Sequence, residues 1–312
     1  MRVFRDITGA CLAPAGSVVT VGAFDGLHLG HQALLSRVCE RAGRLACRPV
    51  AVSFEPLPRA FFARHELPRL ASRREKIEGL LGAGMARVLL LRFNQALAAM
   101  SAEDFVRQVL VQRLAVREIH VGAGFRFGHK RAGDFALLEH MGAELGFEAV
   151  KMPPVLLDGE RVSSSTIRSS LAEGEFDNAA RLLGRPFSIS GHVAHGNKLG
   201  RKLGYPTANL WLGRRVSPIL GIFAVRVQIE GETGVHPGVA SLGKRPTVNE
   251  VVEPLLEAHL FDFDRDIYGR RIRVEFLAHL RDEEKYDDID ALVAQMDRDA
   301  AAARKILDGQ PS

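Results

Sequence analysis

The chain has few cysteines, a single tryptophan and no long run of basic residues. Its three cysteines, Cys11, Cys39 and Cys47, form no C-x-x-C pair, which disfavours a disulfide framework and a cysteine zinc site. We expect reduced thiols in a cytoplasmic protein. Basic residues exceed acidic ones by only 42 − 37 = 5, without a block of five consecutive cations, so a nucleic-acid partner is not expected.

Long hydrophobic runs are also scarce. The stretch from Ile7 to Phe24 carries no charge, but Pro14 and three glycines interrupt it, and it lacks a basic leader before an apolar run. We interpret it as a turn leading into a buried strand, and we expect neither membrane insertion nor export. With 46% hydrophobic residues, the 312-residue chain can fill two cores, at about 150 residues for each domain.

The two halves of the chain have different hydrophobic patterns. In the first half, β-rich runs such as Val18–Phe24 alternate with helical periods such as Gln32–Arg44, which predicts βαβ units and a parallel sheet. From Phe187 to Leu280, short alternating runs separated by Gly/Pro turns predict a small antiparallel barrel, and an amphipathic last helix follows. We predict domains at residues 1–184 and 185–312, with Ala172–Gly184 joining them.

A glycine-rich turn with two histidines lies between a predicted strand and a predicted helix. It runs Gly22-Ala-Phe24-Asp25-Gly-Leu-His28-Leu-Gly-His31, at the place where open α/β sheets bind ligands. The amides of a helix start attract anions, and both histidines can donate hydrogen bonds to phosphate oxygens. A nucleoside triphosphate fits better than a metal, because no third ligand is evident. Helix capping or core packing would explain either histidine alone.

Three further segments carry a family resemblance. H-x-G-H after a strand is characteristic of the nucleotidyltransferase superfamily, and Ser163-Ser164-Ser-Thr-Ile-Arg168 resembles the second motif of that superfamily. Its hydroxyls, helix-start amides and arginine suit phosphate. Segments 54–62 and 121–128, rich in aromatic residues, resemble the flavin-binding elements of bacterial bifunctional riboflavin kinase/FAD synthetases. Ordinary loop packing would explain either of these two segments alone.

This resemblance implies a Rossmann-like nucleotidyltransferase domain, in which the phosphate of FMN attacks the α-phosphorus of ATP to give FAD and pyrophosphate. His28, His31 and Arg168 are the implied catalytic residues. The implied ATP-binding residues are Gly22, Phe24, Asp25, His28, His31, Ser164 and Arg168. The implied flavin-binding residues are Phe54, Pro56, Pro58, Phe62, Phe125 and Arg126. Ala23 and Gly124 depart from the family, which has Asn and a polar residue there, so a weakened or lost adenylyltransferase is an alternative.

The second half contains a basic, glycine-rich turn. Such a turn can wrap phosphates through its backbone amides, although a basic surface hairpin is the alternative and no Walker loop is present. The run Pro206-Thr207-Ala-Asn209 matches the riboflavin kinase signature. Further matches extend the resemblance over nearly the whole chain: Gly221-Ile-Phe223, Gly243 to Thr247, Glu257-Ala-His, Asp266 to Gly269 and Leu280-Arg281-Asp-Glu283.

The second resemblance implies a six-stranded antiparallel β-barrel kinase domain that phosphorylates riboflavin to FMN. Glu257 would be the general base for the ribityl 5′-hydroxyl as it attacks the γ-phosphorus, and Thr207 with Asn209 would bind Mg²⁺. The implied ATP-binding residues are Gly191, Lys198, Gly200, Arg201, Gly204, Thr207 and Asn209. The implied flavin-binding residues are Phe223, Glu257 and Arg281. Ser241 stands where the family commonly has Asn.

The leading hypothesis is a bifunctional enzyme that converts riboflavin to FMN and then to FAD, with ATP and Mg²⁺ at two sites. It predicts small-molecule substrates and neither a nucleic-acid nor a membrane partner. A kinase without adenylyltransferase activity is the second hypothesis, and a flavin- or RNA-binding regulator is the third. The sequence patterns predict no particular oligomeric state.

Overall fold

The structure is a computed structural model that describes residues 2–63, 67–196, 200, 203–213, 216–246 and 252–309. The chain divides into two compact units, Met1–Leu67 with Ala71–Ser164, and Pro68–Leu70 with Ser165–Ser312. Each unit contains its own six-stranded sheet. Residues 165–184, which the sequence analysis assigns to the first domain, pack with the second unit, and the boundary at 184/185 stays a prediction.

The first unit is built on a parallel sheet with the strand order β1-β4-β3-β2-β5-β6, as predicted. Its strands are β1 (Val3–Phe4), β2 (Ser17–Val21), β3 (Arg48–Glu55), β4 (Arg87–Arg92), β5 (Val116–Gly122) and β6 (Glu148–Met152). A small hairpin follows, with β7 (Leu156–Leu157) and β8 (Glu160–Arg161). Alternate side chains of β2 enter two apolar clusters, Val19 and Val21 in one and Val18 in the other. Both faces of the sheet are therefore covered, as parallel sheets require.

The order in which the chain adds strands to this sheet changes direction between β2 and β5, which run parallel to each other. β3, which follows β2 in the chain, lies on one side of it, and β5 lies on the other. Ligands of open α/β sheets bind at the carboxyl ends of strands beside such a switch point. β2 ends directly before the turn from Gly22 to His31, and β5 ends within the predicted flavin-binding segment 121–128.

Helices of the first unit connect its strands. They are α1 (Leu29–Arg44), α2 (Pro58–Phe62), α3 (Arg73–Gly82), α4 (Gln95–Ala99), α5 (Ala102–Asp104) and α6 (Phe135–Leu145). α5 continues as a π-helical segment, Phe105–Arg113, and a short 3₁₀ turn spans His129–Arg131. Side chains cap two of these helices, because Ser101 accepts a hydrogen bond from the Asp104 N–H and Asp134 accepts one from the Leu137 N–H.

The predicted joining segment contains a helix. After α7 (Ser164–Ala172), α8 (Phe176–Leu183) buries Phe176, Ala179 and Leu182, and it packs against the first and last strands of the second unit. The apolar residues of this short segment recur at helical spacing, which the sequence analysis did not use. A segment interpreted as a connection is thus part of the second unit's packing.

The second unit is a six-stranded antiparallel sheet in the order β10-β13-β12-β11-β14-β9. Its strands are β9 (Phe187–His192), β10 (Ala208–Trp211), β11 (Gly221–Ile229), β12 (Val235–Pro246), β13 (Val252–Leu260) and β14 (Arg271–Arg281). Just beyond β9, the Ala194 N–H donates to the Asn209 carbonyl of β10 at 2.8 Å, which brings the two edges together. The predicted barrel is confirmed as a near-barrel.

The terminal helix α9 (Ile289–Asp308) covers one side of this near-barrel, as predicted. Its Ala303 and Leu307 are buried against Ala224 of β11. Phe223 and Val225, which flank Ala224, point instead to the interior of the sheet. Across the described ranges, no helix combines the length and the apolar character that crossing a membrane requires.

Candidate active sites

The turn after β2 ends in a pair of stacked histidines. His28 caps α1, and its Nδ1 accepts a hydrogen bond from the His31 N–H at 3.3 Å. The centroids of the two imidazole rings are 3.7 Å apart, and the planes differ by 19°. A Cβ at Gly30 would lie 3.2 Å from the His28 ring. A side chain at the third position of H-x-G-H would therefore crowd the first histidine, whose ring would have to shift by a few tenths of an ångström.

The environment of His31 keeps its imidazole neutral. Burial, and then the proximity of His28, lowers the pKa of His31 well below the usual 6.5. Although part of the side chain is exposed, its Nδ1 is buried and has no hydrogen-bond partner within the described part of the chain. The fully buried ring of Phe24 packs edge-on at 5.1 Å. An anion at this position would favour the protonated, donating form of the ring.

Asp25 forms part of the frame of this turn. The side chain is buried, and its Oδ1 accepts a hydrogen bond from the Ala71 N–H at 3.1 Å. The Ser164 hydroxyl donates to the Asp25 carbonyl oxygen at 2.8 Å, so two residues predicted for the same site are brought together. Arg168, also on α7, donates from Nε to the Pro68 carbonyl at 2.8 Å.

A group of phenylalanines lies where β3 and β4 end. Phe54, Phe61 and Phe62 each contact Phe93, with ring centroids 5.9, 5.3 and 5.7 Å apart. Phe62 is 66% exposed, so the group offers an aromatic surface to solvent. Pro58 begins α2, which suits its fixed φ. The sequence analysis did not identify Phe93, although an aromatic residue directly after an apolar strand could have indicated a place at this edge of the sheet.

The predicted flavin segment after β5 combines two stacked phenylalanines with an exposed ion pair. Phe125 stacks on Phe127 with centroids 5.3 Å apart, and it packs against the same apolar cluster as Phe54. Arg126 is half-exposed and pairs with Asp134 at 3.2 Å. Pro56, on the other segment, is exposed.

The two departures from the family pattern lie in different surroundings. Among the described residues, chain neighbours aside, a Cβ at Gly124 would meet no atom within 4 Å, so packing against them does not require glycine there. Ala23 contributes its carbonyl oxygen, which accepts a hydrogen bond from the Ser53 hydroxyl at 3.2 Å. The backbone around Ala23 is thus anchored to β3 without a polar side chain at this position.

Strand register in the second unit places several predicted kinase residues in one row. Glu257 on β13 lies directly opposite Asn209 on β10 and Ser241 on β12. Residues paired in this way share a face, with Cβ atoms about 4.5–5.5 Å apart. The adjacent Leu256 and Ala258 are fully buried in the interior, so Glu257 belongs to the outer face. Because Leu255 and Leu256 interrupt the alternation of apolar and polar residues, the sequence alone does not predict which way Glu257 faces.

Asn209 is a buried residue whose side-chain oxygen has no described hydrogen-bond partner. It is 5% exposed, and its Nδ2 donates to the Thr207 carbonyl at 3.2 Å. Its Oδ1 is buried, and no described residue supplies it with a donor. A Cβ at Gly196 would lie 2.7–2.8 Å from the amide atoms of Asn209, so glycine admits this side chain. An unsatisfied buried oxygen beside a threonine suits Mg²⁺, which prefers oxygen ligands.

The loop before β10 is held by β13 and α9. The Tyr205 N–H donates to the Gly200 carbonyl at 2.8 Å, and a Cβ at Gly200 would collide with the Tyr205 carbonyl oxygen. The Tyr205 hydroxyl donates to Asp297 of α9. Burial, together with Asp297, raises the pKa of Tyr205 to about 12. A ring nitrogen of His259 hydrogen-bonds the Pro206 carbonyl at 2.9 Å.

Other predicted phosphate-binding residues lie around this loop. Gly191 is on β9, where a Cβ would approach the Leu210 side chain to 2.9 Å. Gly204 has a φ of +83°, a conformation that favours glycine. Lys198 and Arg201 lie outside the described residues.

The predicted flavin contacts of the second unit differ in exposure. Phe223 is 1% exposed and lies in the interior of the near-barrel. Arg281 is partly buried and donates to Asp299 of α9 at 2.8–3.2 Å. Glu283, which the sequence analysis did not assign to the site, accepts a hydrogen bond from the Ser241 hydroxyl at 2.9 Å. Its carboxylate therefore contacts Ser241, the residue paired with Glu257 on the neighbouring strand.

Two family models match the chain, one in each half. The model for FAD synthetase matches residues 12–166, which contain the stacked histidines. The model for riboflavin kinase matches residues 183–307, which contain Asn209 and Glu257.

Relatives match over nearly the whole chain. The bifunctional riboflavin kinase/FMN adenylyltransferase of Pseudomonas fluorescens is 47% identical over 307 residues, covering 98% of each chain. The proteins of that name from Escherichia coli K12 and Haemophilus influenzae are 44% and 40% identical, covering 97–98% of this chain and 98% of theirs. A crystal structure described as a macrolide-efflux protein from Streptococcus pneumoniae matches at TM-score 0.80 and 30% identity, covering 97% of this chain and 98% of that one.

Proposed function

The chain belongs to the family of bifunctional riboflavin kinase/FMN adenylyltransferases and makes FMN and FAD, and we propose how its residues divide these two reactions. The stacked histidines serve adenylyl transfer, and the row around Glu257 serves phosphorylation. The observation that supports this division is the register that sets Asn209 and Glu257 opposite each other, within the riboflavin kinase match.

In the first unit, the residues bind and orient the reactants. The phosphate of FMN attacks the α-phosphorus of ATP, and pyrophosphate leaves from the opposite side. His28, His31 and the free N–H groups at the start of α1 donate hydrogen bonds to phosphate oxygens as negative charge moves onto the leaving group. Ser164 binds the pyrophosphate end, and Asp25 keeps the turn in place through Ala71. The implied phosphate contact of Arg168, a residue of the second unit, stays a prediction. Most of the rate enhancement then comes from positioning and charge stabilisation.

FMN binds against the aromatic surface of the first unit. Phe62 is the exposed member of the phenylalanine group and stacks on the isoalloxazine ring. Phe54, Pro56 and Pro58 shape the same side, with Phe93 beneath them in the group. Phe125 and Arg126 contribute from the segment after β5.

In the second unit, Glu257 accepts the proton of the ribityl 5′-hydroxyl while that oxygen attacks the γ-phosphorus of ATP. Asn209 Oδ1 and Thr207 bind Mg²⁺, which neutralises phosphate charge when bound. The buried, unsatisfied Oδ1 supports this assignment. Gly191, Gly200 and Gly204 let the backbone approach ATP, with Lys198 and Arg201 adding charge. Riboflavin contacts Glu257, with Phe223 and Arg281 supporting its binding region.

We place the reaction in the cytoplasm, with riboflavin, FMN and ATP as the only partners. The uncharged Ile7–Phe24 stretch includes a strand in the interior of a sheet, and the sequence has no block of five consecutive cations. A nucleic-acid or membrane partner is not part of this proposal.

The metal assignment can be tested with the two activities of one preparation. In Asn209→Ala, we expect the Mg²⁺ concentration for half-maximal kinase activity to rise about tenfold or more. Adenylyl transfer from ATP to supplied FMN should keep its own Mg²⁺ dependence. An unchanged Mg²⁺ dependence of the kinase in this variant would contradict the assignment. Accumulation of FMN without FAD by the unmodified protein would instead favour a lost adenylyltransferase.

A further inference from the structure

A buried lysine lies next to the proposed flavin site of the first unit. Lys76, in the first half of α3, is 1% exposed. Its Nζ donates to the Phe54 carbonyl at 2.7 Å and lies 3.4 Å from Glu55 Oε2. Lysine is almost never fully buried unless it is paired, because removing an ammonium group from water is costly. Helix packing alone does not call for a charge here, since an apolar side chain would fill the space.

The carbonyl that Lys76 binds belongs to the first residue of the proposed flavin segment. Phe54 lies near the carboxyl end of β3, and its ring contacts Phe93. The neighbouring Glu55 carbonyl accepts a hydrogen bond from the Phe93 N–H at 3.1 Å. Lys76 therefore fixes the point from which segment 54–62 leaves the sheet.

The same helix start also contacts the nucleotide turn. Just before α3, the Ala71 N–H donates to Asp25 Oδ1. Ser72 and Glu75 then close a reciprocal capping box, with hydrogen bonds of 2.6 and 3.1 Å. Residues 71–76 thus form one capped helix start that contacts the nucleotide turn at one end and the flavin segment at the other.

We propose that Lys76 is a positioning residue for adenylyl transfer, which holds segment 54–62 at the place where bound FMN can reach ATP. At 1% exposure the ammonium group acts through the Phe54 carbonyl and the Glu55 carboxylate, without touching substrate. The inference rests on the proposed binding of FMN to this segment. It adds a residue of α3 to the residues proposed for this site.

The test is the steady-state kinetics of Lys76→Met, which keeps the length of the side chain and removes its charge. We expect the KM for FMN to rise about tenfold, because a hydrogen bond to a charged group is lost and a buried carbonyl is left unsatisfied. The KM for ATP should stay within about twofold, and riboflavin kinase activity should not change. Lys151→Met, at an exposed lysine, is the matched control and should leave all values unchanged.

Two further variants separate the possible outcomes. Glu55→Gln keeps the hydrogen bond from Lys76 to the Phe54 carbonyl and should raise the KM for FMN by a smaller factor than Lys76→Met. This variant tests the proposal if Lys76→Met does not fold. If Phe62→Ala leaves the KM for FMN unchanged, the flavin assignment itself fails. The proposed role of Lys76 is wrong if Phe62→Ala raises the KM for FMN while Lys76→Met and Glu55→Gln leave it unchanged. It is also wrong if Lys76→Met and Glu55→Gln raise the KM for FMN and the KM for ATP by the same factor.

Discussion

The two units build their phosphate-transfer sites by different means. In the first, His28, His31 and Asp25 lie on a turn and a helix start, held by a few hydrogen bonds such as Asp25 to Ala71. In the second, Asn209 and Glu257 lie on neighbouring strands, where the hydrogen-bond ladder sets their spacing. A site whose residues are placed by strand register depends on its reacting groups and on the residues that pack over them, such as Gly196 over Asn209. A site placed by turns depends also on residues that touch no substrate, such as Lys76.

The largest effect is expected at the proposed base of the second site. Glu257→Gln keeps the shape of the side chain but cannot accept the proton of the ribityl hydroxyl. Kinase activity should fall about 10²–10⁴-fold, the range for loss of a general base. Adenylyl transfer to supplied FMN should continue at the normal rate. Glu230→Gln, on an exposed residue of the same unit, is the matched control for initial rates measured by flavin chromatography.

The next largest effect is expected in the turn-built site. His28→Ala removes a phosphate donor and the ring that stacks on His31. FAD formation from FMN should fall about 10²–10³-fold, as for loss of one donor to a developing charge. Kinase activity should be unchanged, and His140→Ala, with a side chain 71% exposed, should affect neither activity. Full FAD synthesis by His28→Ala would remove the histidine pair from the proposed mechanism.

A smaller effect is expected where Gly196 packs over Asn209 in the second unit. The Cβ in Gly196→Ala would press on the amide of Asn209. Kinase activity should fall on the order of tenfold, as expected for forced overpacking, with a raised Mg²⁺ requirement. Gly234→Ala is the control, because the nearest described atom to its Cβ, chain neighbours aside, is 3.9 Å away in His236. Equal kinase activity in the two variants would show that Asn209 does not need this space.

The smallest effect concerns pH and stability. The pKa of His31 in the folded protein is lowered, so between that value and about 6.5 the unfolded chain binds more protons. Stability of the first unit should therefore fall as the pH drops below about 6.5. His31→Asn cannot titrate, and its melting temperature should fall less over the same range. Parallel curves for the two proteins would contradict a neutral, desolvated His31.

Local patterns made part of this architecture predictable. The helix caps at Ser101 and Asp134 depend on residues three positions apart, and the H-x-G-H turn depends on one strand followed by one helix. The same holds for the alternation that predicts antiparallel strands in the second half. These features need no knowledge of distant contacts.

Long-range placement was not predictable in the same way. The pairing of Asn209 with Glu257 depends on register between strands distant in sequence, which a shift of one residue would destroy. Lys76 lies among charged residues of α3, and no local pattern distinguishes its burial from the exposure of Arg74. α8 was missed because a short amphipathic segment becomes a helix through the strands that it covers.

The most direct test of two separate sites on one chain is to mix the single variants Glu257→Gln and His28→Ala with riboflavin, ATP and Mg²⁺. The first alone should form almost no FMN, and the second alone should stop at FMN. Together they should form FAD, because His28→Ala supplies FMN that Glu257→Gln can adenylylate. Failure of the mixture to form FAD, while each variant keeps its remaining activity with its own substrate, would contradict two sites linked by free FMN.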